Sequence, residues 1–221
     1  EPYRRELSAR GVPAGKISVV MNAVDERLLP PPRRNREGSA FTVFYHGTLT
    51  PHYGVDLVVE AAALVRNEIP GLRVEIYGEG DALRDIERRS RELGLEGAVR
   101  LNGFHPRADV LRAAQGASVG VVPTRPTHLN RFALSTKLFE YIALGVPVVS
   151  ADLPTLREHF SEDEVLFFQA GDSESLAAAL LHIAHDPALS AKRAAAARRR
   201  YETYRWDRSA QVYVDVLRRL A

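Results

Sequence analysis

The sequence contains no cysteine, which excludes disulfide bonds and thiolate-bound metal ions. It also has no apolar run that approaches the roughly 20 residues of a membrane-spanning helix, and no stretch has the pattern of a secretory signal peptide. These absences together are typical of cytoplasmic proteins. We therefore predict a cytoplasmic location for this chain.

Lysine is scarce too: of the 30 basic residues, only Lys16, Lys137 and Lys192 are lysines. The remainder are arginines, several of which cluster at 88–91 and 198–200, and the formal net charge is only +2. No aromatic residues interleave with these clusters, and no nucleic-acid-binding motif accompanies them. We interpret the clusters as solvated helix faces and expect no nucleic-acid partner. Contact with a membrane surface stays open as an alternative.

The common nucleotide-binding fingerprints are absent as well. Neither Gly-x-Gly-x-x-Gly nor a Walker loop occurs, which argues against a nicotinamide or flavin cofactor and against a nucleoside triphosphatase. No Ser-His-Asp or Cys-His arrangement supports nucleophilic catalysis. His182 and His185 share a predicted helix face, but no carboxylate ligands join them. We therefore expect neither a metal site nor a bound cofactor.

What the sequence does contain, from Phe41 onward, is an alternation of short apolar strands and amphipathic helices. The strands are predicted at residues 41–45, 73–77, 99–101, 117–122, 146–150 and 165–168, after an isolated strand at 16–21. Repeated βα units favour an α/β fold, a doubly wound parallel sheet with helices on both faces. Three helices, at 173–185, 189–204 and 206–220, close the chain as a terminal helical extension.

Residues 135–150 combine a predicted helix with a core strand. Ser135 is a natural N-cap, and Gly145 is a natural helix stop. Lys137 and Glu140 are three residues apart and therefore share a helix face. They form either a surface ion pair or part of an anion site at the helix N-terminus. In the second case Lys137 and the free N–H groups bind a diphosphate, and Glu140 accepts two ribose hydroxyls.

The loops at the carboxyl ends of the strands are the candidate binding elements, because doubly wound sheets bind their ligands there. They comprise residues 46–50, 78–81, 103–107, 124–135 and 151–156. Gly47 is a point at which the backbone can approach a phosphate, and Gly78 begins a glycine turn. Phe104 and His105 offer a flat surface for a base, although ordinary packing is an equal alternative for Phe104.

The motif KLFEYIALGVPVV at 137–149 resembles the retaining GT-B glycosyltransferases of the "glycosyl transferases group 1" family. Further segments resemble the same family, at residues 19–25, 45–49, 74–80 and 99–104, so the resemblance spans nearly the whole chain. It implies two Rossmann-like domains that face each other across a cleft. This chain would be the C-terminal, nucleotide-sugar-binding one.

The proline-rich segment at 30–39 is predicted to be a linker, because its prolines and polar residues continue neither a helix nor a sheet. With the resemblance, residues 1–29 are expected to be a remnant of a preceding acceptor-binding domain, which is itself missing. The resemblance also implies that residues 40–204 are the Rossmann-like domain and that a helix at 205–221 returns toward the missing domain. The apolar faces at the two ends are expected to cover each other, to pair between chains or to be poorly ordered.

In the family, the second glutamate of a Glu-x7-Glu motif binds the ribose, and Glu140 matches it. The first glutamate, which contacts the donor sugar, falls at Phe132. The family's first-loop arginine is replaced by Thr48, and its diphosphate-binding lysine before a glycine by Tyr53, so both usual cations are absent. We hypothesise that other groups substitute for them, namely Arg131, Lys137, Gly47 and helix N–H groups.

The resulting hypothesis is a glycosyltransferase donor domain. It binds a nucleoside-diphosphate sugar, without a metal, for retaining transfer to an acceptor on the missing N-terminal domain, where some of the catalytic residues are expected. The predicted donor site comprises Gly47, Thr48, Gly78, Phe104, His105, Arg131, Ser135, Lys137 and Glu140. Two alternatives stay open: a sugar-nucleotide epimerase or phosphorylase of the same fold, and a non-catalytic interaction module.

Overall fold

The structure, a computed structural model, describes residues 2–31, 40–128, 130–132 and 134–220. Its centre is a six-stranded sheet with the strand order β3-β2-β1-β4-β5-β6, in which every pairing is parallel. The strands are β1 Thr42–His46, β2 Arg73–Tyr77, β3 Val99–Leu101, β4 Val119–Val122, β5 Val148–Ala151 and β6 Leu166–Phe168. The predicted α/β fold with a parallel sheet is confirmed.

Helices flank this sheet and complete the βα units. They are α1 Pro2–Ala9, α2 Val55–Val65, α3 Leu83–Glu92, α4 Arg107–Ala114, α5 Thr136–Ala143, α6 Pro154–Arg157, α7 Ser173–His185, α8 Pro187–Tyr201 and α9 Trp206–Leu220. Helix α2 packs against α3 and α7, whereas α5 packs against α8 and against strands β4 and β5. The core strands are buried because helices cover them, which explains their continuous apolar runs.

The strand order reverses between β1 and β4, the point at which doubly wound sheets form a crevice at their carboxyl ends. Helix α5 lies close to the sheet there because β4 carries a glycine. A Cβ atom on Gly120 would come within 2.4 Å of the Tyr141 ring. The Tyr141 hydroxyl, in turn, donates a hydrogen bond to the Phe44 carbonyl oxygen on β1, at 3.3 Å. These contacts fix the depth at which α5 sits beside the crevice.

The predicted strand at 16–21 is wrong. The chain makes a short 3-10 turn at Ala14–Lys16, Ile17 after it is extended, and no described strand pairs with residues 16–21. An apolar alternation favours extended backbone, but a strand also needs a partner for its N–H and C=O groups. Strand β5 begins two residues later than predicted, at Val148, and α8 ends at Tyr201 before a 3-10 turn, Glu202–Tyr204. Most of the predicted linker, residues 32–39, lies outside the described residues.

The terminal helices leave apolar side chains exposed. They include Tyr3 and Leu7 on α1 and Trp206, Val212, Tyr213, Val214 and Leu217 on α9. None of the helices that the structure describes is long and apolar enough to span a membrane. The predicted division of the chain into a remnant, a linker, a Rossmann-like domain and a returning helix stays a prediction.

Candidate functional site

A cleft of about 460 Å³ opens at the carboxyl ends of β1, β2 and β3, beside the N-termini of α4 and α5. Its lining residues come from four segments of the chain: His46, Gly47, Thr48, Tyr77, Gly78, Glu79, Phe104, His105, Arg107, Val110, Leu111, Thr136, Lys137 and Glu140. A larger cavity, of about 580 Å³, lies at the opposite end of the sheet, next to Phe41 and Pro147. That cavity is lined mostly by apolar side chains. The cleft, by contrast, contains several charged side chains and lies at the end of the sheet where such folds bind ligands.

Glu140 supplies a buried carboxylate to the cleft, and its side chain is only 3% exposed. His46 Nε2 lies 3.1 Å from its Oε2 atom, and the Arg107 guanidinium contacts its Oε1 atom. Burial alone would raise the pKa of Glu140, but His46 and Arg107 together hold this pKa below its ordinary value. The carboxylate is therefore ionised and can only accept hydrogen bonds.

Lys137 lies one turn earlier on the same helix. Its ammonium group donates to the Tyr45 hydroxyl at 3.1 Å and lies 4.3 Å and 4.9 Å from the ring centres of Tyr45 and Tyr53. Burial lowers the pKa of Lys137 to about 8, while the charge of Glu140 acts in the opposite direction. The interpretation of Lys137 and Glu140 as a surface ion pair is wrong, because both side chains are buried.

Two glycines allow the loops after β1 and β2 to meet beneath Lys137. Gly47 has a φ of +127°, and a Cβ atom there would come within 3.2 Å of the Lys137 Nζ. Gly78 has a φ of +134°, and its Cβ would stand 1.9 Å from the Gly47 carbonyl oxygen. Residues that carry a side chain rarely adopt this backbone conformation, and at these two positions the side chain would also clash. Gly47 N donates to the Tyr77 carbonyl and Gly78 N to the Gly103 carbonyl, so three loops form one wall.

Seven of the predicted site residues come together in the cleft: Gly47, Thr48, Gly78, Phe104, His105, Lys137 and Glu140. Ser135 is the N-cap residue of α5, but its side chain makes no capping hydrogen bond, and Thr136 lines the cleft instead. Arg131 is not among the lining residues. Its guanidinium lies 4.4 Å from the Phe132 ring centre and 3.6 Å from a Glu6 carboxylate oxygen on α1.

Three of the five candidate loops, at 46–50, 78–81 and 103–107, line the cleft, whereas the described residues of those at 124–135 and 151–156 contribute no lining residue. Two lining side chains were missed by the sequence analysis. His46 is the last residue of β1, and Arg107 is the first residue of α4. Both belong to loops that were identified as candidates, at 46–50 and 103–107. The helix was predicted to begin at Asp109, two residues later than α4 begins, so no signal in the sequence indicated that the Arg107 side chain faces the cleft from a helix start.

Comparison with known proteins shows the family of this chain. The sequence model of the family described as "Glycosyl transferases group 1" matches residues 31–200. The chain belongs to this family. A glycogen synthase of Mycobacterium tuberculosis is 32% identical over 92% of this chain and 49% of its own length. The amylovoran biosynthesis glycosyltransferase AmsK of Erwinia amylovora is 25% identical over 99% of this chain and 54% of its own length.

The chain therefore spans about half the length of the curated relatives it matches. Among solved structures, S. aureus TarM in a complex that includes UDP is similar with a TM-score of 0.82 and 18% identity, over 97% of this chain and 42% of that chain. Anabaena HepE in complex with UDP-glucose has a TM-score of 0.82 and 18% identity, over 98% of this chain and 60% of that chain. These similarities show a shared GT-B type of Rossmann-like fold.

Proposed function

We propose that this chain is the donor-binding part of a glycosyltransferase. It binds a nucleoside-diphosphate sugar in the cleft and presents it for retaining transfer to an acceptor that a second Rossmann-like domain holds. One observation supports this above all: a buried, ionised carboxylate, Glu140, and a buried ammonium, Lys137, face the same cleft from one helix. A ligand with both hydroxyl and phosphate groups satisfies both charges.

Glu140 is the group that recognises the ribose. A carboxylate presents two oxygens with about four acceptor positions, so it can accept hydrogen bonds from both hydroxyls of a vicinal diol. Its position inside the cleft, with low exposure to water, strengthens such bonds relative to bulk solvent. His46 and Arg107 keep it ionised, so its acceptor capacity is retained near neutral pH.

The diphosphate lies between the start of α5 and the loop after β1. The first N–H groups of a helix have no partners within it and carry partial positive charge, which favours an anion. Thr136 is the first residue of α5 and lines the cleft, and Lys137 adds a full positive charge beside Gly47. When the bond to the sugar breaks, negative charge grows on the departing diphosphate, and the same groups stabilise it.

The base stacks at the outer end of the cleft, next to the loop after β3. Phe104 is 74% exposed although it is large and apolar, and His105 stands edge-on to Tyr77 with ring centres 5.3 Å apart. An exposed aromatic surface beside polar backbone groups accepts a flat heterocycle. The solved relatives bound to UDP or UDP-glucose make a uridine nucleotide the first candidate.

Isothermal titration with UDP, ADP and GDP tests this proposal. The wild-type chain should bind one of the three with at least micromolar affinity, and Glu140→Gln should weaken it by roughly 100-fold. Glu92→Gln is the matched control, because Glu92 is an exposed carboxylate on α3 that pairs with arginines away from the cleft. Failure of all three nucleotides to bind, or equal affinities for wild type and Glu140→Gln, would overturn the proposal.

A non-catalytic interaction module is the second candidate, and one observation favours it. Phe132 stands where the family's sugar-contacting glutamate is expected, and its ring packs edge-on against Tyr3 of α1, with ring centres 5.3 Å apart. This position can no longer accept a hydrogen bond from a sugar hydroxyl. Slow release of free sugar from a bound nucleotide sugar would support the transferase, whereas tight nucleotide binding without any turnover in the full-length protein would support the module.

A further inference from the structure

The carboxylate assigned to the ribose is closed off in the cleft. Only 3% of the Glu140 side chain is exposed, and each of its oxygens already has a cationic or polar neighbour. Arg107 contacts Oε1, and His46 Nε2 lies 3.1 Å from Oε2. Two ribose hydroxyls need direct access to these oxygens. Because the carboxylate is almost completely covered, one of the two neighbours must move before a nucleoside can reach it.

His46 is held firmly where it is. It ends the central strand β1, pairs in register with Tyr77 of β2, and its ring stands edge-on to Tyr141 with centres 5.2 Å apart. Its side chain is 14% exposed. Movement of this imidazole would require the strand or the packed ring beside it to shift.

Arg107, in contrast to His46, lies at the surface of the cleft. Its side chain is 48% exposed and reaches Glu140 from the first turn of α4, with solvent around its remaining surface. A second carboxylate, Asp25, is near enough for the charge of Arg107 to act on it. The guanidinium can therefore leave Glu140 by rotating its own side chain bonds, with no change in the backbone.

We propose that Arg107 competes with the ribose hydroxyls for Glu140 and thereby lowers the affinity of the site for ligands that carry a 2′,3′-diol. This inference rests on the proposed function, because it takes the nucleoside as the competing ligand. A ligand with a 2′,3′-diol replaces the guanidinium at the carboxylate, whereas a ligand without the diol offers Glu140 nothing in exchange. Arg107 therefore lowers the affinity for every ribonucleoside and leaves the affinity for a ligand without the diol unchanged, so it reduces the preference of the site for the diol.

The test is Arg107→Ala in the full chain, titrated with uridine, adenosine and guanosine by ligand-observed NMR. Nucleosides lack phosphates, so a contact between Arg107 and a phosphate cannot mask the effect. We expect the ribonucleoside that binds best to bind roughly tenfold more tightly to Arg107→Ala than to wild type, because no ion pair has to be broken. The corresponding 2′,3′-dideoxynucleoside should show no gain.

Arg112→Ala is the matched control. It removes an arginine from the same helix, and Arg112 pairs with Asp109 on the helix surface at 2.9 Å and is not a lining residue of the cleft. This variant should bind nucleosides as wild type does. Thermal unfolding of Arg107→Ala, compared with Arg112→Ala, reports whether a change in binding comes from a loss of folded protein.

Unchanged or weaker ribonucleoside binding by folded Arg107→Ala would overturn the competition, and so would an equal gain for the dideoxynucleoside. These outcomes leave the proposed function intact if wild type binds a nucleoside diphosphate and Glu140→Gln binds it much more weakly. If neither wild type nor Arg107→Ala binds any of the nucleosides or nucleoside diphosphates, the proposed function and this inference both fail.

Discussion

Helices α5 and α9 are both amphipathic, yet they occupy opposite environments. Seven of the eight residues of α5 are buried, including Lys137 and Glu140. In α9, by contrast, Ser209 is the single buried side chain among those that the structure describes, and Trp206, Tyr213 and Leu217 are exposed. A charge in an interior and an apolar ring on a surface are both unfavourable. We propose an anionic ligand as the partner of α5 and a covering surface as the partner of α9.

Removal of the Phe139 ring from α5 is the strongest test of the contrast between α5 and α9. Phe139 is fully buried, and its ring centre lies 6.0 Å from that of Phe160 and 5.2 Å from that of Tyr204. Phe139→Ala should lower the free energy of unfolding by about 3–5 kcal/mol, because it removes apolar contacts and leaves a cavity. Urea unfolding measures the loss. A change below about 1 kcal/mol would contradict the buried position of α5.

Removal of the Lys137 charge is expected to increase the free energy of unfolding, in contrast to Phe139→Ala. Burial lowers the pKa of Lys137 from 10.5 to about 8, so holding it charged in the folded chain costs stability at neutral pH. Lys137→Met keeps the length and removes the charge, and it should raise the free energy of unfolding by about 2 kcal/mol. The same variant should lose affinity for nucleoside diphosphate. A variant that is both less stable and unchanged in binding would show that the charge stabilises the fold and has no role in the site.

The affinity for a nucleoside diphosphate is expected to depend on pH through the protonation of Lys137. Below about pH 8 the Lys137 ammonium is charged and can pair with a diphosphate, and above that value it loses its proton. The affinity for the best nucleoside diphosphate should therefore fall by roughly tenfold as the pH rises through this range. Isothermal titration across the range measures it, and Lys137→Met should give a flat profile. A wild-type affinity that does not decline above pH 8 would remove Lys137 from the phosphate site.

Much of the fold could be predicted because its signals are local. Helix α2 and strand β2 have the predicted bounds, Val55–Val65 and Arg73–Tyr77, since apolar periodicity and flanking turn residues mark both ends. The segment at 16–21 has the same kind of signal and forms no strand. Its apolar pattern predicts extended backbone, but the presence of a neighbouring strand depends on the tertiary fold.

Of the site, the sequence predicts the residues that lie within its motif but not the contacts that they make with distant segments. Glu140 and Lys137 follow from one short stretch of sequence, but Lys137 is covered by Tyr45 and Tyr53, which come from a distant part of the chain. The contact between Arg107 and Glu140 depends on how closely α4 approaches α5, which no spacing in the sequence encodes. For such pairs, the packing of the helices on the sheet is the deciding information.

The smallest expected effect belongs to α9 and completes the comparison with Phe139→Ala. Tyr213 is 51% exposed, so Tyr213→Ala removes a ring that is already largely in water and should change the free energy of unfolding by less than about 0.5 kcal/mol. The same urea experiment measures it. A loss as large as that of Phe139→Ala would mean that the apolar face of α9 is covered within this chain. Its exposure would then no longer call for a covering surface, and the contrast with α5 would lose its basis.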